Sequence, residues 1–399
     1  MANIHLQSAT TVFLDQPPSC LEFCPDFPDH FVVGTYLLSE NKVDEQVEQT
    51  KTGSLQLWKL NPNTNELLLI QRVALPYAVF DLHFHPGDRS KFAIAGSTGC
   101  IALFNVSSNS TDSSTEPSIN QIWTKQVHED SSIPALFLAW APQDWLPGKI
   151  TNGFAVTFSD SLTAVFGSEG EITEESQINE LGSFQARQMI EVWFVALASM
   201  KETTSQEITP FMFTGNDFGS LHTRRFGTST DENDSKHVLG PLLLDYDDRA
   251  RHHTAGVTSI LPLPVPMVDD APILLTGSYD EGLRVYHATR RGEVLAEQAL
   301  GGGVWRLQLL DTKGLEEAKQ SFLVLASCMH AGTRVVRVNR TPGRSQEWDI
   351  EVLAEFTEHE SMNYASGVWE GSGSETSSEL LCVSSSFYDR RVCVWRATV

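Results

Sequence analysis

The chain has 399 residues and carries 28 Lys and Arg against 51 Asp and Glu, which gives a formal net charge of -23 at pH 7. This balance argues against nucleic acid and anionic membranes as direct partners, because binding to either polyanion depends on clustered Lys and Arg. With 41% hydrophobic and 20% charged residues, the composition is that of a globular protein and not of a disordered chain.

The first residues, MANIHLQSATT, have neither the basic start nor the apolar centre of a signal peptide. Apolar runs further along, such as VTSILPLPVPMV at 257–268, are much shorter than the ~18–20 residues of a membrane span and contain prolines. Of the six scattered cysteines, Cys20 and Cys24 are close in sequence but lack the second pair that a structural zinc site needs. The sequence therefore predicts a cytoplasmic protein with reduced cysteines, without a membrane segment, a metal or an organic cofactor.

One turn-and-strand unit recurs seven times in a chain of short β-branched and aromatic runs with almost no helical periodicity. Each unit contains one position, usually bulky or β-branched, that aligns across the repeats. The aligned residues, 46 to 63 positions apart, are Trp58, Phe104, Phe166, Thr223, Tyr286, Val336 and Trp395. Because a minimal propeller blade needs only ~40–45 residues, these intervals predict exposed polar insertions. We expect them at 39–51, 107–118, 227–236 and 370–379.

A second column stands six residues before the first. Its members are Thr52, Thr98, Asp160, Asp217, Asp280, His330 and Asp389. Here the chain resembles the WD-repeat β-propellers, in which such a turn Asp bonds a His that precedes the first strand of the blade. The pairs that the resemblance implies are His253 with Asp280, His359 with Asp389, and His128 with Asp160. We expect the first two pairs to be mainly structural.

The two ends of the chain fit one blade. The last repeat stops at Val399 without a fourth strand, and the leading segment HLQSATTVFLD at 5–15 can supply it. Pairing the ends removes the open edges of a linear array. The predicted fold is all-β, a single seven-bladed WD-repeat β-propeller closed by the N-terminal strand, which completes the last blade. The expected blades are 16–75, 76–128, 129–185, 186–250, 251–301, 302–358, and 359–399 with 5–15.

Six strings in the second half of the chain are more specific than the repeat itself. They are RHHTAGVTSI (251–260), LLTGSYDEGLRVY (274–286), GGGVWRLQ (301–308), ASCMHAG (326–332), EHESMNYASGVW (358–369) and SSSFYDRRVCVW (384–395). Together they resemble the diphthine methylesterase family, WD-repeat proteins that are also called diphthine methyltransferases. The usual hydrolase, zinc-protease, phosphate-loop and dinucleotide motifs are absent from the sequence.

The resemblance implies a carboxylic ester hydrolase that acts on a protein. Its substrate would be the methyl ester of methylated diphthine on a histidine of eukaryotic elongation factor 2, and its product diphthine, within diphthamide biosynthesis. The implied partner is elongation factor 2 that carries this modification, and we expect the chain to act as a monomer. The main alternative is a non-catalytic WD-repeat adaptor that docks a basic protein. A third possibility is the substrate-recognition subunit of a larger enzyme.

Ester hydrolysis requires an activated nucleophile, donors for the oxyanion and a proton for the leaving methoxide. His330 stands where the repeat has its turn Asp, so it lacks the structural role that the Asp has in other blades. Histidine also exchanges protons near neutral pH. We therefore take His330 as the first catalytic candidate, with an exposed turn residue as the alternative. Arg306 is a candidate for binding the oxyanion or a carboxylate, against a surface ion pair, and His253 is a secondary catalytic candidate. Ser278 and the serines at 384–386 are possible nucleophiles, but no motif selects one.

The implied substrate also carries a trimethylammonium group, which suits the face of an aromatic ring because cation–π attraction needs no hydrogen bond. Trp305, Tyr279 and Tyr388 are the candidates for such a recess. Glu281 is a candidate for attracting the same cation. The alternative for the three rings is packing at the rim of the blades, and for Glu281 it is simple solvation.

Overall fold

The computed structural model describes residues 5–43, 46–108, 116–202, 207–227, 239–314, 319–341, 347–371 and 379–399. In these ranges the chain is made of β-strands, with one 3-10 turn at Glu175–Gln177. No helix in the same ranges has the length and apolar character needed to cross a membrane. The insertions expected at 107–118, 227–236 and 370–379 fall largely outside the described residues.

Within the described ranges the strands form seven sheets, each built on four antiparallel strands, as the repeats predict. Contacts between residues divide the chain into two compact units. The first unit consists of residues 1–135, 329–334 and 354–399, and the second of residues 136–328 and 335–353. The organisation of the chain as a single domain stays a prediction.

Blades 1, 2 and 7 belong to the first unit. Blade 1 consists of Pro18–Cys24, Phe27–Thr35, Gln46–Leu60 and Leu67–Leu75, and blade 2 of Val79–Phe84, Lys91–Gly96, Cys100–Ser107 and Ser118–Gln126. Blade 7 consists of Ala365–Val368, Glu379–Ser386, Arg391–Thr398 and the N-terminal strand Ser8–Phe13. The antiparallel pairing of Ser8–Phe13 with the strand Arg391–Thr398 confirms that the N-terminus completes the last blade.

The insertion expected at 39–51 is not an irregular loop. The strand Leu37–Val43 pairs with the first half of Gln46–Leu60 in an antiparallel hairpin, so the third strand of blade 1 extends beyond its sheet. A short strand, His5–Leu6, pairs in parallel with Glu355 and Phe356 in the same unit. The insertion predicted for this segment is therefore built as a β-hairpin, because backbone pairing can continue where the side-chain pattern shows no periodicity.

Blades 3 to 6 lie mainly in the second unit. Blade 3 consists of Ala135–Trp140, Asn152–Phe158, Leu162–Ser168 and Asn179–Gln185, and blade 4 of Val192–Lys201, Ile208–Asn216, Leu221–Phe226 and Leu242–Asp247. Blade 5 consists of Val257–Pro262, Ile273–Ser278, Gly282–His287 and Glu293–Ala299, and blade 6 of Arg306–Lys313, Gln320–Ser327, Thr333–Thr341 and Glu347–Phe356.

The aligned residues of the repeat lie in the third strand of their blades and are buried. In blades 1, 2, 3 and 5 the register towards the fourth strand shifts immediately before the aligned residue, as between Val285 and Tyr286. In blade 4 the strand register moves the sequence alignment by one position. Leu221 pairs with Gly215 as Leu283 pairs with Gly277, so Arg224 and not Thr223 corresponds to Tyr286. The turns that precede Leu221 and Leu283 are equally long, so the same displacement makes Phe218, and not Asp217, the counterpart of Asp280.

Candidate functional site

His330 lies in the turn between the second and third strands of blade 6, with its side chain exposed. The fully buried Asn363 holds this turn. Its N–H donates to the carbonyl of Met329 at 3.0 Å, and its side-chain oxygen accepts from Thr333 Oγ1 at 3.1 Å. Its amide nitrogen donates to the carbonyl of Ser385 at 2.8 Å. A satisfied buried network of this kind rigidifies the backbone around it, so the turn presents His330 at a fixed place in the first unit.

Tyr388 lies in the corresponding turn of blade 7 and leaves 69% of its surface exposed. Its N–H donates to Ser361 Oγ at 2.9 Å, and the N–H of Phe387 donates to the carbonyl of Met362 at 3.0 Å. The turns of Tyr388 and His330 are therefore bonded to one short segment, residues 361–363. The structure thus brings these two predicted residues to the same part of the first unit.

Tyr279 and Trp305 meet in the second unit, 5.9 Å apart between ring centroids. A third ring, Trp193, lies 6.2 Å from Tyr279 and 5.6 Å from Trp305. All three are half-buried. Sequence reasoning missed Trp193, although EVWF at 191–194 repeats the Val-Trp pair of GVWR at 303–306, where each pair leads into the first strand of its blade. Two of the predicted aromatic residues and one missed residue form this cluster, which we call the aromatic triad.

Arg306 lies among aromatic rings and backbone carbonyls in the second unit. Its guanidinium carbon is 4.5 Å from the ring centre of Trp305, 4.8 Å from that of Phe137 and 5.5 Å from that of Phe194. Its Nη1 donates to the carbonyl of Thr258 at 3.1 Å and to that of Trp305 at 2.9 Å. These contacts come from the first strands of blades 3, 4 and 5 and from the residue just before blade 6, so Arg306 ties its own blade to the other three. The sequence analysis gave a surface ion pair as the alternative role of Arg306, whereas these contacts are with backbone carbonyls and rings.

His253 is buried, with 1% of its surface exposed. Its Nε2 shares a hydrogen bond with Thr276 Oγ1 at 2.9 Å, and burial lowers its pKa to about 3. Asp280 instead accepts from the N–H of Thr254 and from Arg284, both at 2.8 Å. The predicted direct bond of His253 to Asp280 was therefore wrong, because the carboxylate is already engaged. A buried ring with this partner belongs to the scaffold, and we no longer take His253 as a catalytic candidate.

Blade 7 repeats this arrangement. His359 Nε2 and Ser384 Oγ share a hydrogen bond at 2.7 Å, and Trp395 Nε1 donates to the same oxygen at 2.9 Å. Asp389 accepts from Ser361 Oγ at 2.8 Å, so the predicted direct bond to His359 was also wrong. In the part of the chain that the structure describes, Nδ1 of both His253 and His359 is buried without a hydrogen-bond partner. His128 and Asp160 belong to different units, and their predicted pairing stays a prediction.

The remaining candidates do not provide a nucleophile. Ser278 and the serines at 384–386 are fully buried within their strands. Glu281 is half-buried in a turn and adopts a left-handed backbone conformation with φ 70°. Within the described ranges, no three His, Cys, Asp or Glu side chains are grouped so that they could hold a metal ion.

The buried histidines predict how stability depends on pH. Burial lowers the pKa of His253 to about 3 and that of His359 to about 4, whereas the unfolded chain takes up these protons near pH ~6.5. Stability is therefore complete above pH ~6.5 and falls as the pH decreases towards 4, by about 2 kcal/mol per histidine at pH 5. Calorimetry between pH 7 and 5 should show this loss. In a His253→Gln, His359→Gln double variant the slope should flatten, but not in the control His330→Gln, and an unchanged slope in the double variant would contradict the assignment.

The chain is similar to three known proteins that carry the same name. No protein-family model matches the chain. The chain is 25% identical to a Schizosaccharomyces pombe protein named diphthine methyltransferase, over 97% of this chain and 96% of that relative. Human and mouse proteins of the same name are each 26% identical, over 89% and 86% of this chain and 73% and 65% of their own length. The family resemblance seen in the six strings is thereby confirmed.

Solved structures of Sqt1 from Chaetomium thermophilum are similar to this chain at 12% and 13% identity, with TM-scores of 0.56 and 0.57. They cover 97% and 98% of this chain and 99% of each Sqt1 chain. One of them is Sqt1 bound to the N-terminus of the ribosomal protein L10. At this identity the similarity concerns the fold, and it confirms the predicted class, a seven-bladed WD-repeat β-propeller.

Proposed function

We propose that this chain, a homologue of the diphthine methyltransferases along nearly its whole length, acts in diphthamide biosynthesis as a methylesterase. Its substrate is the methyl ester of methylated diphthine on elongation factor 2, and its products are diphthine and methanol. The observation that carries the proposal is the alignment over 97% of this chain and 96% of a relative named for diphthine. We place the reaction in the cytoplasm and take the chain to act as a monomer.

The chemistry requires one proton to move twice. Water attacks the ester carbon, the C–O bond to the methoxy group breaks, and the proton that water loses is returned to the leaving methoxide. We assign this proton transfer to His330, because its turn is fixed by Asn363 while its side chain is exposed. Water is the attacking group in this proposal, because Ser278 and the serines at 384–386 are fully buried. Arg306 was a candidate for binding the oxyanion. Its contacts with carbonyls and rings instead support a role in which Arg306 positions the ring of Trp305.

Two features support a protein as the substrate. The chain is strongly acidic, and a negative field accelerates the approach of a basic protein surface. Sqt1, which has the same fold, binds the N-terminus of a ribosomal protein in the solved structure.

The test is direct incubation of the purified chain with elongation factor 2 that carries methylated diphthine. Mass spectrometry of the modified peptide should show the loss of one CH2 unit with time, with methanol as the second product. A heat-inactivated sample is the control for spontaneous hydrolysis. An unchanged mass together with stable binding of elongation factor 2 would support the adaptor instead, and activity only in the presence of further co-purifying chains would support the recognition subunit.

A further inference from the structure

The aromatic triad contains a right-angled corner. The ring planes of Trp193 and Tyr279 meet at 89°, and Trp305 is inclined at 62° to Trp193 and at 37° to Tyr279. Each ring is half-buried, so part of each is supported by the protein and part faces solvent. Perpendicular ring faces at this separation can contact different methyl groups of one compact cation, which a flat stack of rings cannot do.

Asp217 holds Trp193 in the corner. In blades 5 and 7, the turn carboxylates of Asp280 and Asp389 accept the backbone N–H of a residue in the preceding loop. In blade 4, Asp217 Oδ1 accepts the indole N–H of Trp193 at 2.7 Å, and the backbone N–H of Asp217 donates to the carbonyl of Glu191 at 2.9 Å. Asp217, which by the strand register corresponds to Tyr279 and not to Asp280, thus fixes the orientation of one ring here.

Gly256 leaves the space that the ring of Tyr279 occupies in the corner. A Cβ atom at this position would lie 2.8 Å from Cδ2 of Tyr279 and 3.0 Å from the Cα of Asp217. Contacts this short require movement of the ring or of the turn. The absence of a side chain therefore allows Tyr279 to lie against the turn that carries Asp217, which brings the tyrosine, the carboxylate and Trp193 together.

Arg306 lies beside Trp305, the third ring of the aromatic triad. Its guanidinium carbon lies 4.5 Å from the ring centre of Trp305, at a distance where cation–π attraction is significant. A second cation on Trp305 would meet repulsion from this charge, whereas Asp217 places a negative charge next to Trp193. Electrostatics thus directs a ligand cation towards Trp193 and Tyr279 and away from Trp305, which was one of the three candidate rings for the recess.

We infer that Trp193, positioned by Asp217, forms with Tyr279 the subsite that binds the quaternary ammonium group of the substrate. The inference rests on the proposed function for the identity of that substrate, and it adds a binding residue and a positioning residue that the sequence did not reveal. A trimethylammonium group offers no N–H to an acceptor, so its recognition depends on ring faces and a nearby negative charge. The carboxylate that accepts the indole N–H also polarises the ring and strengthens this attraction.

The test uses choline and its uncharged isostere 3,3-dimethylbutan-1-ol as probes, with binding to the full chain measured by ligand-observed NMR. The chain should bind choline about 10-fold more tightly than the isostere. Trp193→Ala should remove this preference, Trp193→Phe should retain part of it, and Asp217→Asn should weaken the binding of choline but not of the isostere. Equal binding of both probes, or an unchanged preference in Trp193→Ala, would overturn the inference.

The matched control is Trp369→Phe. Trp369 is also half-buried, and its indole N–H donates to Asp29 Oδ1 at 2.8 Å, but it belongs to the first unit and is not part of the triad. Its replacement should leave the binding of both probes unchanged. If Trp369→Phe weakens choline binding as much as Trp193→Phe does, the effect is a general consequence of losing a bonded indole and the inference fails.

Kinetics on modified elongation factor 2 separate the inference from the proposed function. Trp193→Ala should raise KM about 10-fold with little change in kcat, because the ring binds the cation equally well before and during ester hydrolysis. Ester hydrolysis with an unchanged KM in this variant would overturn the inference alone. Choline selectivity that depends on Trp193, in a chain that hydrolyses no ester, would overturn the proposed function and leave the cation subsite in place.

Discussion

Replacement of His330 by alanine is expected to slow ester hydrolysis by about 100-fold or more while the free energy of unfolding stays nearly unchanged. Loss of a positioned acid–base group typically costs a factor of ~10²–10⁴ in rate. The turn does not depend on the imidazole, because its backbone is held by Asn363 through the carbonyl of Met329. Time courses on modified elongation factor 2, followed by mass spectrometry, and urea unfolding of the same preparations measure both quantities.

A scaffold variant provides the contrast for His330→Ala. Asp389 accepts hydrogen bonds from Ser361 Oγ and from the N–H of Glu360, so Asp389→Ala leaves these donors unsatisfied and should cost about 2 kcal/mol of stability. Its rate per folded molecule should fall less than that of His330→Ala. A wild-type rate in His330→Ala, or a loss of rate explained entirely by unfolding, would remove His330 from the mechanism.

The seven blades were predictable because each repeat carries the same physical requirement, a buried residue in the third strand that follows a tight turn. Blade 4 shows where this reasoning stops. Thr223 and Arg224 are neighbours, and a β-branched residue fits the pattern better than a buried arginine does. Only the strand register, in which Leu221 pairs with Gly215, reveals that the sequence alignment is displaced by one position. A repeat can be counted from composition, but its register depends on pairing with another strand.

The histidine pairs show a second limit. The spacing of His253 and Asp280 correctly placed both residues at the same end of blade 5, and their separation suggested a bond. Which groups actually bond depends on competition, and Asp280 is engaged by the N–H of Thr254 and by Arg284. The partner of His253, Thr276, lies in the second strand, where a polar residue in the apolar run LLTGS was the available signal.

The candidate site was predicted in part. Tyr279 and Trp305 came from strings with a family resemblance, and these strings all lie in the second half of the chain. Trp193 lies outside them, so its contact with both rings required the packing of blades 4, 5 and 6 within the second unit. Asn363 was also missed, because nothing in the local sequence distinguishes an asparagine that holds a distant turn from one that is solvated.

Deletion of residues 1–13 is expected to destabilise the chain more than any single substitution discussed above, by about 5 kcal/mol for the lost strand ladder, and to cause self-association. The strand Ser8–Phe13 forms the outer strand of blade 7, and Val12 packs against the core of the first unit. Without it, the backbone groups of Arg391–Thr398 lose their partners and present an open sheet edge, which pairs readily with other chains. Urea unfolding measures the loss of stability, and size-exclusion chromatography detects the association.

The deletion can be tested for its cause by adding the strand back. A peptide of residues 5–15 should bind the truncated chain, restore most of its stability and suppress self-association, because the ladder with Arg391–Thr398 can form between two molecules. A peptide of the same composition in scrambled order should do neither, since the inward positions of the strand would no longer carry Val12. If the truncated chain is monomeric with the wild-type midpoint, the last blade does not depend on the N-terminal strand. Rescue by both peptides would mean that general apolar binding, and not strand pairing, stabilises the edge.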